Sequence, residues 1–553
     1  MISEISLKFG AKPGDQPLKF LPGHMTIVVG PNFSGKSKLI REIQHYISHG
    51  RPSPDNVILQ DLVLPDVEEE DVDELIESVR LQPNPGELVN PENVIVGRLN
   101  SRSNVPRAQL RAALLNFNTV PHSHAFRTQA AQWFHTSRLR MLNAESRISL
   151  TNEQPMGDLS HGPTNTFQQL FRDDVLRTKV RKIVEEAFGL HLVVDPTSGG
   201  QLRLRLSDRA PADTEEERSL SERAVSFHSN ATLLSQTSDG TRAFCGILTE
   251  VMAGNPDLLL LDEPEAFLHP GLSYKLGLEM ARQVQSTDKK IVVSTHSANF
   301  LMGCVSAGIA VNVLRLTYKN GVATARLLPA NDLRSLMKNP LLRSANVLSG
   351  LFYENVIVCE ADSDRAFYQE INHRLLREGK GMVNALFLNA NGKGSMPTIV
   401  KPLKDLGVSV GAIYDLDFIK DGGSVLTSRL NAASVPSELH DTIRITKDNL
   451  RRALDAKASN YKTAGGTSLL ETSELPLFES LNSDLSKHGI FLVPVGEVEG
   501  WLSSRDISGH GPSWLIEMFT SLGDEDSDEY VSPSSDDVWG FIDGIGRQID
   551  LRF

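Results

Sequence analysis

A chain of 553 residues has room for two or more domains, each with a core of its own. Its 40% hydrophobic and 23% charged residues are ordinary for a soluble globular protein, and no apolar run of ~20 residues could cross a membrane. The net charge of −13 excludes a surface given over wholly to nucleic acid. Three scattered cysteines, Cys245, Cys304 and Cys359, exclude a disulfide framework and a Cys₄ zinc module. With no basic-then-apolar leader at the N-terminus, a cytoplasmic protein without membrane contact is expected.

Residues 25–40, MTIVVGPNFSGKSKLI, read as an apolar strand, a glycine-containing loop and a helix start. The loop fits GxxxxGK[ST] through Gly30, Gly35, Lys36 and Ser37, with Asn32 inside it. Backbone N–H groups at such a helix N-terminus cradle phosphate, Lys36 is expected on the β/γ oxygens, and Ser37 on Mg²⁺. Residues 56–230 then separate this half of an ATPase from the next, far more than a loop requires. The segment opens Pro-rich and acidic and carries eight arginines and no lysine between Arg98 and Arg147, against one acid, Glu145. That block is either a solvated helical face or a phosphate-contacting surface. A helix over 173–190 and an alternating strand over 201–209 follow, and an inserted, mostly helical arm or dimerisation region is expected.

The second half of the ATPase, 231–345, begins with SQTSDGTRAF (235–244), which offers Ser238, Gly240 and Arg242 ahead of a helix. DLLLLDEPEAFLHP (257–270) is a buried strand delivering Asp262, suited to the Mg²⁺ shell, and Glu263, suited to polarising the attacking water. KKIVVSTHSANFL (289–301) is another buried strand, ending in Thr295, His296 and Ser297; in that position His296 reads as a γ-phosphate sensor. In this order GPNFSGKS, SDGTR, LLLLDEPEAFLHP and STHS resemble the ABC-type heads of the RecF, SMC and OLD group. The resemblance implies ATP as cofactor and a homodimer or higher oligomer, with Ser238 and Gly240 of one subunit closing on nucleotide held by another. SDGTR departs from the usual SGGQ form, and Gln60 is the candidate for the glutamine loop. SRLRMLNAESRISL (137–150), with Arg138 and Arg140, resembles a segment that packs on such heads.

A second unit, 352–553, opens with VIVCEADSDRAFY (356–368). Val356 to Cys359 form a strand ended by Glu360; Asp362 or Ser363 caps the next helix, and Asp364 falls in its first turn. Phe367, Ile371 and Leu375 form the buried stripe of that helix. A strand and loop with Lys393 follow in VNALFLNANGKGSM (383–396), and VSVGAIYDLDFIKDG (408–422) is a strand emitting Asp415 and Asp417. Alternating strands and helices imply a parallel sheet whose C-terminal edge collects Glu360, Asp364, Asp415 and Asp417. Four acids repel one another unless a cation is bound, and hard oxygen ligands favour Mg²⁺ or Mn²⁺. The acidic stretch GDEDSDEYVSPSSDD (523–537) is expected as an exposed loop.

These residues are similar to a TOPRIM domain, and their placement behind an ABC-type head resembles the OLD (overcoming lysogenization defect) nuclease family. FLVPVGEVEGWL (491–502) resembles that family's late acidic motif, which implies a second metal position at Glu497 and Glu499. The family places a lysine near the C-terminus, whereas here none follows Lys487. Lys393, Arg547 and Arg505 are the candidate substitutes, although arginine is not equivalent to lysine as a point charge. The resemblance implies an α/β chain, an ABC-type ATPase head followed by a Rossmann-like TOPRIM domain with a helical insertion. The implied function is an ATP-dependent, metal-dependent DNA endonuclease or nickase in anti-phage defence, with DNA and a defence-system protein or nucleic acid as partners. The alternatives are a RecF/SMC-like repair ATPase, or an ATPase sensor or scaffold whose TOPRIM unit is regulatory and whose effector is a partner chain.

Overall fold

The computed structural model describes residues 1–550 apart from 84–85, 100, 119–123, 286, 341 and 343–345. The chain divides into two compact units, Met1–Arg334 and Ser335 onward.

The first unit is built on a six-stranded sheet of β1 (Met25–Val29), β2 (Leu139–Leu142), β3 (Leu258–Asp262), β4 (Lys290–Ser294), β5 (Val311–Lys319) and β6 (Val322–Leu328). Their spatial order is β6-β5-β1-β4-β3-β2, parallel except for β6. β1 is wholly buried and β3 buries four of its five residues, so both read as continuous apolar runs. Helix α1 (Lys36–His49) buries Leu39, Ile40, Ile43 and Ile47 in the core that contains Leu258, Leu260 and Val292. The same core reaches a small antiparallel sheet of Glu4–Leu7, Lys19–Phe20 and Leu59–Val63. Helix α2 (Asp239–Ala253) precedes β3.

Part of the segment 56–230 belongs to the head sheet itself. Its apolar run Leu139–Leu142 is an edge strand of the main sheet, paired with Leu258–Leu261. All eight arginines of the basic block are engaged within the chain. Arg98 and Arg138 share Asp257, Arg102 meets Glu87, Arg107 and Arg111 meet Asp73, and Arg140 lies 3.7 Å from Glu250. Arg127 and Arg147 donate to the carbonyls of Phe117 and Glu263. This pairing favours a structural role for the block over a phosphate-contacting one.

The second unit has a four-stranded parallel sheet of β7 (Asn355–Cys359), β8 (Ala385–Asn389), β9 (Ser409–Tyr414) and β10 (Ile490–Leu492), in the order β8-β7-β9-β10. Helix α3 (Asp362–Arg377) follows β7 and buries Phe367, Ile371 and Leu375 as the spacing requires. Between β9 and β10 lies a helical insertion that includes α4 (Ser437–Lys457). The chain continues through α5 (Gly511–Leu522) and α6 (Asp537–Asp550), whose Trp514, Met518, Ile542 and Ile545 join the core beneath Ile357 and Ile413. The acidic stretch between α5 and α6 is fastened at its ends. Buried Arg374 donates to the carbonyls of Leu522, Gly523 and Val531 and lies over the Tyr530 ring, and Arg377 pairs with Glu525.

Candidate nucleotide and metal centres

In the first unit, parallel pairing sets Asp262 beside Ser294 and Ser294 beside Val28, so three strand ends converge on the loop before α1. Gly35 takes φ +93° at the start of that helix. Lys36 is buried, and its Nζ donates to the carbonyls of Gly30 and Pro31, each at 2.8 Å. Burial lowers its pKa to about 8, against the opposing fields of Glu263, Asp262 and Glu265. Ser37 Oγ donates to Asp262 Oδ1 at 2.7 Å, and the Ser294 hydroxyl donates to the same oxygen. Glu263 adopts φ +53°, its N–H bonded to Ser294 O at 3.0 Å and its Oε1 3.0 Å from His296 Nε2. The His296 N–H donates to Glu265 Oε1 at 2.7 Å; burial, then Lys36, lowers the imidazole pKa.

Lys36, Ser37, Asp262, Glu263 and His296 are therefore brought together, and Asn32 is exposed on the same loop. Ser238 caps α2 by accepting the Thr241 N–H. A Cβ at Gly240 would lie 2.5 Å from Phe267 O, so only glycine lets this helix approach the chain beyond Glu263. Arg242 is used internally, donating to Ile148 O and Thr151 Oγ1. Gln60 is exposed on a strand that pairs with Glu4–Leu7. The hydroxyl and carboxylate at 2.7 Å, beside a buried lysine, are a donor set that fits a nucleotide phosphate with Mg²⁺.

In the second unit, Cys359 is level with Asn389, and β9 and β10 end at Tyr414 and Leu492, so their following loops share one edge. A cavity of about 580 Å³ there is lined by Glu360, Asp364, Asp415, Glu497, Glu499, Lys462 and His510 among others. Glu360 Oε1 accepts the Asp415 N–H at 3.1 Å. Asp364 is buried and reaches back to the Ala361 N–H at 3.0 Å, which fixes it in the first turn of α3. Burial, reinforced by Asp415, pushes Glu360 up to about 8. Burial also raises Asp415 to about 6 despite Lys462, and raises Asp364 and Glu497. Asp417 Oδ1 is buried without a hydrogen-bond partner among the described residues. Carboxylates whose ionisation is opposed by burial and by one another are a hard-oxygen set that fits Mg²⁺ or Mn²⁺.

One cation that the sequence did not single out, Lys462, lines this cavity. Its Nζ lies 2.8 Å from Asp415 Oδ2 and 3.4 Å from Glu497 Oε2. Burial opposes its charge, but hydrogen bonding to Asp415 and the fields of Asp415, Asp417 and Glu497 raise its pKa above the usual lysine range. The loop bearing it is anchored by fully buried Tyr461 and by backbone-to-backbone packing on the chain after β10. A Cβ on Gly496, at φ +106°, would fall 2.0 Å from Lys462 O, and Thr467 donates to Pro494 O at 2.8 Å. The only local signal was a lysine beside glycines in YKTAGG.

The three proposed substitutes lie elsewhere. Lys393 Nζ is 2.6 Å from Asp417 Oδ2, so these two residues neutralise each other beside the cavity rather than lining it. Arg547 pairs with Asp543 one turn away on α6 and its side chain is 76% exposed. Arg505 donates to Ser521 O. Asp362 pairs with Arg365 at 2.7 Å and does not cap the helix; Asp364 occupies that role from within. Glu499 Oε1 accepts from Gly511 N–H at 2.9 Å and meets His510 Nδ1, a second residue not foreseen. That hydrogen bond raises the His510 pKa.

Residues 116–302 match the AAA-domain family model described for "AbiEii toxin, Type IV TA system" proteins; the match begins downstream of the glycine loop. Residues 351–417 match the model "Overcoming lysogenization defect protein-like, TOPRIM domain". No curated protein matches the chain. Similar solved structures include an SMC head bound to the C-terminal winged-helix domain of ScpA, with 11% identity, 60% of this chain and 99% of that one covered, and a TM-score of 0.34. The SMC head domain from Thermotoga maritima is 13% identical over 59% of this chain and 98% of its own, with a TM-score of 0.28. That of Pyrococcus furiosus, bound to the C-terminal domain of ScpA, is 12% identical over 61% and 98%, with a TM-score of 0.31. The ATPase fold is carried by the strand order and loop positions above, not by these likenesses. The chain therefore carries a segment matching an AAA-type ATPase domain, 116–302, followed by one matching an OLD-like TOPRIM domain, 351–417.

Proposed function

We propose that the chain is an ATP-binding and ATP-hydrolysing, metal-dependent DNA endonuclease or nickase acting in anti-phage defence. The observation that carries this reading is the convergence of Glu360, Asp364, Asp415, Glu497 and Glu499 around Lys462 in one cavity. Glu360, Asp364, Asp415, Glu497 and Glu499 would hold Mg²⁺ or Mn²⁺, which when bound supplies Lewis-acid activation of the phosphodiester, with Asp417 beside the cavity rather than in the ligand set. Lys462 carries a permanent positive charge to where charge builds on the phosphate oxygens, while Lys393 holds Asp417 in place. In the head, Asn32, Gly35 and Lys36 bind phosphate, Ser37 and Asp262 would hold Mg²⁺, and Glu263 orients water with His296 as sensor. Ser238 and Gly240 are assigned to a second copy's nucleotide, which makes the working unit a homo-oligomer.

A scaffold with a silent TOPRIM unit was attractive only while the centre lacked a lysine, and Lys462 supports the catalytic reading instead. The test is nicking of supercoiled plasmid with Mg²⁺ or Mn²⁺, with and without ATP. Asp415→Ala and Glu360→Ala should each abolish conversion to open circles. Equal conversion by both variants and the parent would sink the nuclease reading.

A further inference from the structure

We infer that Glu497, Glu499 and His510 form a mixed oxygen–nitrogen site that selects a first-row transition ion over Mg²⁺. The inference rests on the metal-dependent reading above and adds the class of one ion. The three side chains can each bring a ligand atom within 4.8 Å of the others. Glu497 precedes and Glu499 lies within the single turn Val498–Gly500 after β10, and His510 immediately precedes α5. Hydrogen bonds to Gly511 and His510 engage Glu499 Oε1, leaving its Oε2 and the His510 Nε2 outside those bonds. Glu497 is 7% exposed, and its ion-pair partner Lys462 stands at 3.4 Å, beyond a good hydrogen bond. Lys462 is shared with Asp415, which it meets more closely at 2.8 Å, so this buried carboxylate has room for a further cation beside it. His510 is exposed, so the imidazole reaches the pair from the solvent side, where an ion can enter.

The donor chemistry decides the ion. Mg²⁺ prefers an all-oxygen octahedral shell, whereas imidazole suits first-row ions such as Fe²⁺, Ni²⁺ and Zn²⁺; Mn²⁺ shares the oxygen preference of Mg²⁺ but as a first-row transition ion can take one imidazole, and it serves here as the paramagnetic probe. Glu360, Asp364 and Asp415 present oxygen alone and do not make this distinction. The competing view is that His510 only fastens Glu499 to the start of α5. In that case glutamine, which can keep a hydrogen bond, should serve as well.

Full-length protein titrated with Mn²⁺ and followed by electron paramagnetic resonance separates the two, with Mg²⁺ titrated calorimetrically in parallel. Bound Mn²⁺ in the parent should show nitrogen-14 coupling from one imidazole. His510→Ala and His510→Gln should lose that coupling and weaken one Mn²⁺ site by about tenfold or more. Mg²⁺ affinity should stay within about twofold. Absence of nitrogen coupling in the parent overturns the site, as does full Mn²⁺ affinity in His510→Gln or equal losses for both metals. Nitrogen coupling with intact plasmid would uphold the site and remove the cleavage reading. Glu360-dependent cleavage without nitrogen coupling would remove only this site.

Discussion

Lys462 meets two acids at once, at 2.8 Å and 3.4 Å, so replacing it alters both the charge of the centre and the protonation of its neighbours. Lys462→Ala is expected to lower single-turnover plasmid nicking by roughly 10²–10³-fold, the range for losing one preorganised transition-state charge. ATP turnover should be unchanged, and Lys462→Arg should restore only part of the loss, since a planar fork cannot replace a compact ammonium. Glu360, Asp364 and Asp415 were legible in the sequence because a buried strand announces where its end lies. Lys462 was not legible, because its position depends on how a helical insertion folds back, and no local periodicity encodes that. His135 offers a different residue-level test, far from any proposed ligand. It is buried between the rings of Phe117 and Phe134, and burial, then Arg138, lowers its pKa from 6.5 to about 3. A base with a depressed folded pKa gives stability that is complete above about 6.5 and lost as pH falls toward about 3. Thermal melts of His135→Leu should therefore lose less stability on acidification, by at most about 1.4 kcal/mol per pH unit for one site.

At the scale of elements, the C-terminal edge of the second sheet works because two loops dock through backbone. Gly496 sits at φ +106° with Lys462 O in the space a Cβ would take, and Gly466 faces Pro494 O at 2.2 Å in the same way. Gly496→Ala should cost ~2 kcal/mol or more, from left-handed strain plus the clash. Because the strain falls on the lysine loop, nicking should fall well beyond what the loss of folded protein explains. Urea melts beside nicking rates would check this, and parallel losses in both would count against the docking role. The strands of both sheets were readable as apolar runs, as was the Phe367, Ile371 and Leu375 stripe. Within the segment 56–230 the packing of 137–150 on the head was expected from resemblance, but its strand was not, because Leu139–Leu142 is short and half-exposed and only its partner Leu258–Leu261 reveals it as a sheet edge. The arginine block left two readings open for a related reason. Its acids, Asp73, Glu87, Glu250 and Asp257, lie outside the block in sequence, so composition alone made it look unneutralised.

For the molecule as a whole, the two centres lie in separate compact units, which makes their chemistry separable. Lys36→Ala and Glu263→Gln should each lower ATP turnover by about 10²-fold or more while leaving Mn²⁺ binding at the second centre intact. Asp415→Ala should do the reverse. Phosphate release and Mn²⁺ titration on the same preparations would show it, and normal turnover in both head variants would contradict the head assignment.

The strand order of the head also governs how the chain is made. Among the described residues β1 pairs with β4 and β5, so a five-residue, wholly buried and largely apolar strand at Met25–Val29 leaves the ribosome about 260 residues before its first sheet neighbour. At ~5–20 residues per second that interval lasts roughly ten seconds to a minute, during which both strand edges are open to wrong partners. The glycine loop that β1 carries cannot take its final shape until Ser294 arrives beside Val28. The nucleotide-binding centre is thus assembled only once synthesis has passed the midpoint of the chain, and until then shielding of this strand protects the nascent chain from wrong pairing.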